Sequence, residues 1–497
     1  MTTTANLRDN DPPEKMIAFD EIADKPYART GNAVFDALFA MSVEEARQCS
    51  VDSISDGAFN NGQGVPCECF ETGAKWNYVW TRDTAYAVDL GLAILDPSRS
   101  RRSLEFKLSE RKQGGGSQII QDTGTGGSWP VSSDRVVWAI GAWELLKYLH
   151  GSEREAFRDL AYEAMVNTIA QDRAVVYSPQ DGLYRGEQSF LDWREQSYPS
   201  WTAQDTVHIA MSRTLSTNVG HHAILTVASK LAMEKGEMAA AAQYSEWADE
   251  LSAAIDEQFY LDDAGAYSAI LTTELDPSPT HKFDLLGNSL LVLNEAAGDT
   301  SRRQEIVANY PRVATGPPVL WPQQPLIPIY HNRGIWPFVT AYDLLAARAV
   351  DNSGVFDLDL ASLIRGAALN LSNMENFEFT ALAPWYDDGE FSGPVVNSRR
   401  QLWSVAGYFG AIVKGVFGME ATQEGVRFNP YVTGAVHAEW FADAPDGQVS
   451  LERVTWRGKR FNVTLALPEQ AASPGDGAYQ ISSVSLNGQV VDASDYW

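Results

Sequence analysis

The feature that most constrains this chain is a succession of twelve helical patterns across roughly 385 residues, with no strand pattern between them. Apolar residues recur at helical spacing, as in Leu225, Val227, Ala228 and Leu231 beside the polar Ser229 and Lys230. The stretch from Met238 to Phe259 is rich in strong helix formers. The spacing predicts helices over 33–41, 82–95, 134–150, 153–171, 203–213, 218–234, 236–258, 283–296, 301–308, 336–351, 357–373 and 400–416. No Val/Ile-rich strand alternates with these helices, which argues against a βα-barrel or a doubly wound sheet. Twelve helices is the number needed for six helical hairpins closed into an (α/α)6 toroid. The fold class expected is therefore mainly α, with a small C-terminal antiparallel β domain.

That β domain is announced by a change of texture after Gly418. Gly425-Val-Arg-Phe, Val449-Ser-Leu-Glu-Arg-Val-Thr-Trp, Phe461-Asn-Val-Thr-Leu-Ala-Leu and Ile481-Ser-Ser-Val-Ser-Leu alternate apolar and polar residues between Gly, Pro and Asp turns. The expected organisation is an extended arm over 1–30, a helical barrel over 31–417 and a β-sandwich-like domain over 418–497. The last strand of that sandwich is expected either to be missing or to come from the N-terminal arm.

Charge narrows the partners. The 38 Lys and Arg residues face 65 Asp and Glu, a formal charge of −27, and such a surface repels phosphate backbones and anionic headgroups. Neither nucleic acid nor a membrane is an expected partner, and no apolar run reaches bilayer length. Cys49, Cys67 and Cys69 are too few for a disulfide framework and fit the cytoplasm. The N-terminal tract MTTTANLRDNDPPEK lacks the blocks of a signal peptide, so a periplasmic or secreted location would require a removed presequence.

Metal and nucleophile chemistry have no sequence support. The seven histidines form no His-x-x-x-His pair, Cys67-Glu68-Cys69 has no second ligand pair, and there is no Gly-x-Ser-x-Gly elbow or Walker-type glycine loop. No cofactor and no metal are expected. What remains is carboxylates beside aromatics. The chain has 15 Trp, 19 Tyr and 20 Phe, many in polar segments, and sugar rings suit aromatic platforms flanked by carboxylates and amides. Three segments concentrate these groups: Tyr78-Val-Trp80-Thr-Arg82-Asp83-Thr84, Gln188-Ser-Phe-Leu-Asp192-Trp193-Arg-Glu195, and Trp385-Tyr386-Asp387-Asp388-Gly389-Glu390 leading to Gln401 and Trp403. Taken singly, each has a structural reading as well; Asp83, for instance, suits the first turn of a helix.

The tract WNYVWTRDTAYAVDLGL resembles the Trp-x-Arg-Asp region of glucoamylases and of the glucosidase domain of glycogen-debranching enzymes. In those families the Arg and Asp grip hydroxyls of the terminal sugar, which implies that role for Arg82 and Asp83. FLDWR followed by LSTNVGHHAILTVASKLA resembles the debranching and neutral-invertase pattern, in which an acid Asp precedes a polar motif opening an inner helix. The resemblance implies Asp192 as general acid. APWYDDGEFSGPVVNSRRQLWSVAGYFGAIV is similar to the C-terminal barrel segment of neutral invertases, and YHNRGIWPF to a loop of six-hairpin glycosidases. These tracts span roughly 70–417, and no single family matches throughout.

One departure matters. The invertase pattern has its basic Glu just before the Tyr-Asp of the third segment, where this chain has Pro384 or Trp385. Glu378 is the first candidate for the base, with Glu390, Glu375 and Asp388 as alternatives. Glu195 rivals Asp192 as the acid, because the glucoamylase acid is a Glu beside a Trp. Phe190, Leu191 and Trp193 would desolvate Asp192 and favour its protonated form. Two-carboxylate hydrolysis needs a protonated carboxyl at the leaving oxygen and a carboxylate on the opposite face of the ring.

Trp76, Trp80 and Trp336 are expected either to stack on sugar or to fill the barrel. Trp193 and Trp385 lie in the same aromatic segments, and Gln401 is a candidate subsite wall. Asp122, Trp129 and Arg135 sit in a polar loop suited to hydroxyl recognition, or merely exposed. The expected activity is inverting exo-hydrolysis of an α-linked gluco- or manno-configured oligosaccharide. The alternatives are a β-fructofuranosidase and a non-catalytic carbohydrate-binding protein.

Overall fold

A computed structural model describes residues 1–3, 16–54, 63–109, 116–120, 134–190, 205–271, 277–473 and 475–491. Helices and their connecting loops alternate in two sets. One set has a polar face in water: α1 (Ala33–Gln48), α4 (Pro97–Glu105), α6 (Gly151–Val175), α9 (Met238–Phe259), α11 (Thr300–Asn309) and α13 (Ser353–Asn370). In α9 the buried residues Ala241, Ala248, Leu251, Ala254, Ile255 and Phe259 form a single stripe, as an amphipathic helix requires.

The other set is buried nearly all round. It comprises α2 (Thr81–Ala87), continued through a π-helical stretch to α3 (Ala93–Leu95), then α5 (Trp138–Leu146) and α8 (Leu215–Glu234). It is completed by α10 (Leu285–Leu293), α12 (Pro337–Ala349) and α14 (Leu402–Gly410), the last extended by a π-helical Ala411–Val416. These sequences, such as LLGNSLLVL and LWSVAGYFG, carry small and apolar residues on every face. Helix α2 contacts α5, α5 contacts α8, α8 contacts α10, α10 contacts α12, α12 contacts α14, and α14 returns to α2. The buried set thus closes on itself. Because the chain steps alternately between the two sets, the buried helices share one direction, and all their N-termini meet at one end.

The loops at that end interlock by hydrogen bonds from helix N-termini, which carry donors with no partner inside the helix. Leu215 N–H donates to the Ala269 carbonyl at 3.0 Å, Leu285 N–H to Val319 at 3.0 Å, and Leu402 N–H to Thr72 at 2.8 Å. A repeated clamp supports two of the loops. Asn218 accepts from Tyr184 N–H at 2.8 Å and donates to its carbonyl at 3.0 Å; Asn288 does the same with Tyr267, both at 3.1 Å. The signature, Gly-x-Tyr followed by Asn in the fourth helical position, is readable in GLY…LSTN and GAY…LLGN.

Two helices within residues 31–417 differ from expectation. α4 is missing from the sequence pattern because its buried positions include Ser100 and Ser103, which no hydrophobic count registers. The 203–213 pattern yields only a short α7 (Thr206–Met211). The two differences offset each other in the helix count.

Among the described residues the strands make one three-stranded sheet and two-stranded pairs. Tyr27–Arg29 of the N-terminal arm pairs antiparallel with Gln448–Trp456, which pairs in turn with Lys459–Ala466. The arm thus supplies an edge strand to the C-terminal sheet. Hairpins Met419–Ala421/Val426–Phe428 and Val484–Leu486/Gln489–Val491 and the short α15 (Gly434–Trp440) complete this region. Cys67 and Cys69 form a disulfide, and Cys49 is a buried free thiol. No helix among the described residues is long and apolar enough to cross a membrane.

Asp284 caps α10 by accepting from Gly287 N–H, and its second oxygen is buried with no partner among the described residues. Burial pushes its carboxyl up to about 7, against the pull of the Gly287 N–H. The folded state therefore holds a proton that the unfolded state releases near pH 4, so this group's stabilisation is full in acid and declines as pH rises to about 7. Asp284→Asn keeps the cap acceptor without the charge. Its stability relative to wild type is expected to rise with pH over that interval, by up to about 1.4 kcal/mol per pH unit. Urea melts of both proteins between pH 4 and 8 check this; parallel curves would contradict it.

Candidate active site

Among the described residues, the tracts around Trp80, Arg333 and Gln401 precede the buried helices α2, α12 and α14, so they meet at the N-terminal end of the closed set. Trp80 occupies the extended position just before α2, and its ring lies 5.2 Å from Trp76 and 5.6 Å from Tyr78, nearly parallel to the latter at 11°. The three rings, each half-buried, form an aromatic platform. Arg82 and Asp83 follow in the first turn of α2 and are buried. Gln401, just before α14, donates through Nε2 to Asp83 Oδ1 at 3.0 Å. Two residues 318 positions apart thus meet where the last buried helix returns to the first.

Glu375 borders this platform at Trp76. It is 3% exposed, its Oε2 accepts from the Trp76 indole at 3.2 Å, and its Oε1 accepts from the Tyr330 hydroxyl at 3.3 Å. Tyr330 packs on His331 at 4.6 Å and Trp336 at 5.2 Å. Trp336 joins Phe190 at 5.3 Å and Trp403 at 5.9 Å, and Trp403 stacks on Phe338 at 4.0 Å. Trp336 is buried in this cluster, whereas Trp385 is half-buried on the rim. The indole N–H of Trp403 and the Oε1 of Gln401 are buried and have no hydrogen-bond partner among the described residues.

Glu378 stands differently. Its Oε2 accepts from Thr380 N–H at 2.9 Å, Thr380 Oγ1 at 2.6 Å and Ala381 N–H at 2.9 Å. Its Oε1 accepts from Arg333 Nη2 at 3.1 Å. The carboxylate is fully buried and both oxygens are engaged by its own turn and by Arg333. Glu390 lies in an exposed 3-10 turn, Gly389–Phe391, and Asp388 receives the other arm of Arg333 at 2.7 Å.

The segment Glu187–Phe190 is held against the start of α8. Thr217 Oγ1 donates to the Glu187 carbonyl at 2.6 Å, Ser189 N–H donates to Ser216 Oγ at 3.0 Å, and Phe190, at φ 57°, inserts into the aromatic cluster. The LSTN motif therefore anchors the strand of chain that leads to Asp192. Asp192, Trp193, Glu195, Asp122 and Trp129 lie outside the described residues. Arg135 is buried and pairs with Asp172 rather than lining the platform loops.

Sequence reasoning did not single out Tyr330 or His331, and it ranked Glu375 among the alternatives. The signal for Tyr330 is its place beside Asn332, which donates to the Gln324 carbonyl at 3.1 Å and to the Ile327 carbonyl at 3.0 Å, shaping the loop. Among the described residues no group of three or more His, Cys, Asp or Glu is placed to hold a metal ion.

No protein-family model matches this chain, and no curated protein matches it in sequence. Solved structures do match. A sialidase superposes on 88% of this chain and 38% of its own, with a TM-score of 0.61 and 12% identity. The GH78 family rhamnosidase of a Bacillus species covers 89% of this chain and 40% of its own, at 0.60 and 15%. The GH63 mannosylglycerate hydrolase from Thermus thermophilus covers 76% of this chain and 100% of its own, at 0.55 and 13%. The chain thus spans about two fifths of the first two proteins and matches the third over its whole length. At these identities the likeness is one of fold.

Proposed function

We propose that this protein is an inverting, exo-acting glycoside hydrolase on an (α/α)6 toroid, cleaving α-linked gluco- or manno-configured glycosides. The toroid comprises residues 31–417, and the β domain over 418–497 supports it. The observation that carries the reading is Glu375: a buried carboxylate facing an aromatic platform, with two donors aimed at its oxygens. A general base must lie beside the bound sugar, and Glu375 is a buried carboxylate bonded to a ring of the platform itself. Glu375 is therefore the base, in preference to Glu378, whose oxygens are engaged by its own turn and by Arg333.

Asp192 is the acid. It follows Phe190, whose ring sits in the aromatic cluster, by two residues. In the reaction Asp192 protonates the leaving oxygen, Glu375 removes a proton from water, and that water attacks the anomeric carbon from the opposite face. Arg82 and Asp83 grip the terminal sugar, with Gln401 orienting Asp83, while Trp76 and Trp80 supply a stacking face. Trp336 acts from behind as packing, and Gln401 Oε1 and Trp403 N–H offer hydrogen bonds to sugar hydroxyls.

The test follows anomeric proton signals by NMR as the protein acts on gluco-, manno- and fructo-oligosaccharides, with Asp192→Asn in parallel. Initial release of the β-anomer from an α-linked substrate, lost in the variant, is the expected result. Release of the α-anomer first would overturn inversion. Line broadening with no turnover on any member would favour a carbohydrate-binding protein.

A further inference from the structure

Arg333 ties the loop preceding α12 to two separate parts of the loop preceding α14. One arm, Nη2, reaches Glu378 Oε1 at 3.1 Å, and the other, Nη1, reaches Asp388 Oδ2 at 2.7 Å. Its guanidinium lies 5.3 Å from the Tyr386 ring and 5.8 Å from that of Phe379. Its backbone takes part as well: its carbonyl accepts from Phe379 N–H at 2.9 Å, and Gly334 pairs with Glu378 across a two-residue ladder. Arg333 adopts φ 58°, a conformation costly for a residue with a Cβ and kept only where surroundings impose it.

The two tethered parts have different duties. Glu378 lies three residues beyond Glu375 and anchors the tight turn 378–383, closed by Leu382 N–H to the Glu378 carbonyl at 2.9 Å. Asp388 belongs to the rim loop that carries Trp385, closed by the Tyr386–Gly393 bridge. On the near side, Tyr330, three residues before Arg333, is itself a donor to Glu375. A single cation thus joins the segment carrying a donor to the proposed base, the segment carrying the base, and the rim.

We infer that Arg333 is a positioning residue, which through Glu378 and Asp388 holds the Glu375 wall and the Trp385 rim in register, and that Glu378 serves as its anchor. The inference rests on Glu375 being the base. Displacing a reacting group by about 1 Å costs on the order of 100-fold in rate. Arg333→Met keeps the stem and removes both ion pairs; Arg333→Lys keeps the charge but not the planar fork.

On the substrate identified by the NMR panel, Arg333→Met is expected to lower kcat by about 30- to 100-fold with KM within about threefold, and Arg333→Lys to recover part of it. Glu378→Gln should lose less than Glu375→Gln, and combining it with Arg333→Met should cost no more than the worse single change. Hydrogen exchange on the same proteins reads the tether without turnover: the amides of Thr380 and Ala381 should exchange faster in Arg333→Met, while those of α8 should not. Unchanged exchange at 380–381 would overturn the inference, whether or not the protein hydrolyses glycosides. Faster exchange with unaltered kcat would make Arg333 a purely structural tie and also overturn it. If azide restores turnover to Glu378→Ala and not to Glu375→Ala, Glu378 is the base and both readings fall. Absence of wild-type turnover on every glycoside would sink the hydrolase reading alone, leaving the exchange result to decide the tether.

Discussion

Glu375→Ala is expected to lower kcat about 1,000-fold, with KM changed by no more than a few-fold, and to regain turnover when azide is added. The physical reason lies in what a base does in inversion. Water is a poor nucleophile until its proton is taken as it attacks, whereas azide is already an anion and attacks the anomeric carbon with no proton to lose. Removing the carboxylate also opens room beside Trp76 and Tyr330, both of which donate to it. With an α-glycosyl fluoride as donor, fluoride leaves as azide bonds to carbon, and the product is the β-glycosyl azide. That product, identified by NMR, would mark position 375 as the face from which water attacks. A variant within tenfold of wild type, or one that azide does not accelerate, would remove Glu375 from the chemistry.

The largest stability effect is expected at the seam where the buried helices close. A Cβ added at Gly410 would lie 2.1 Å from the Leu90 carbonyl oxygen, and one at Gly91 would lie 2.9 Å from the Ala406 carbonyl oxygen. Both obstacles are backbone, so no side-chain rotation relieves them. The π-helical stretches Val88–Leu92 and Ala411–Val416 run alongside, which places the first and last buried helices in direct backbone contact. Gly410→Ala is expected to destabilise by about 3 kcal/mol, the upper part of the usual range for overpacking. Gly425→Ala, with nothing within 4 Å of its added Cβ, should change stability by less than about 0.5 kcal/mol. Urea midpoints of the two variants make the comparison. Equal midpoints would mean that the seam accommodates a methyl group and that closure does not depend on glycine there.

The helical framework was legible because burial leaves a periodic trace. An outer helix such as α9 writes one apolar stripe, and a buried helix such as α10 writes an uninterrupted apolar run. The trace fails where burial is achieved without apolar residues. α4 hides Ser100 and Ser103, and Ser103 Oγ accepts from Phe70 N–H at 2.9 Å, so a hydroxyl takes the place a leucine would signal. The Arg82–Asp83 tract and the LSTN motif were legible as local chemistry. The proposed base was not, because nothing local separates Glu375 from Glu378: both are buried carboxylates within one short segment.

By itself, then, the sequence determined most of the helical segments, that the longest strands lie towards the C-terminal end, and which segments carry carboxylates beside aromatics. Each of these depends on residues within one or two turns of each other, so the information is local. Only the tertiary structure decided which carboxylate meets the aromatic platform. Trp76 and Glu375 are 299 residues apart, Asp83 and Gln401 318, and both pairs form only because the last buried helix returns to the first. A hydrogen bond is made or lost over a few tenths of an ångström, a distance that closure of the helices sets and that no spacing in the chain encodes.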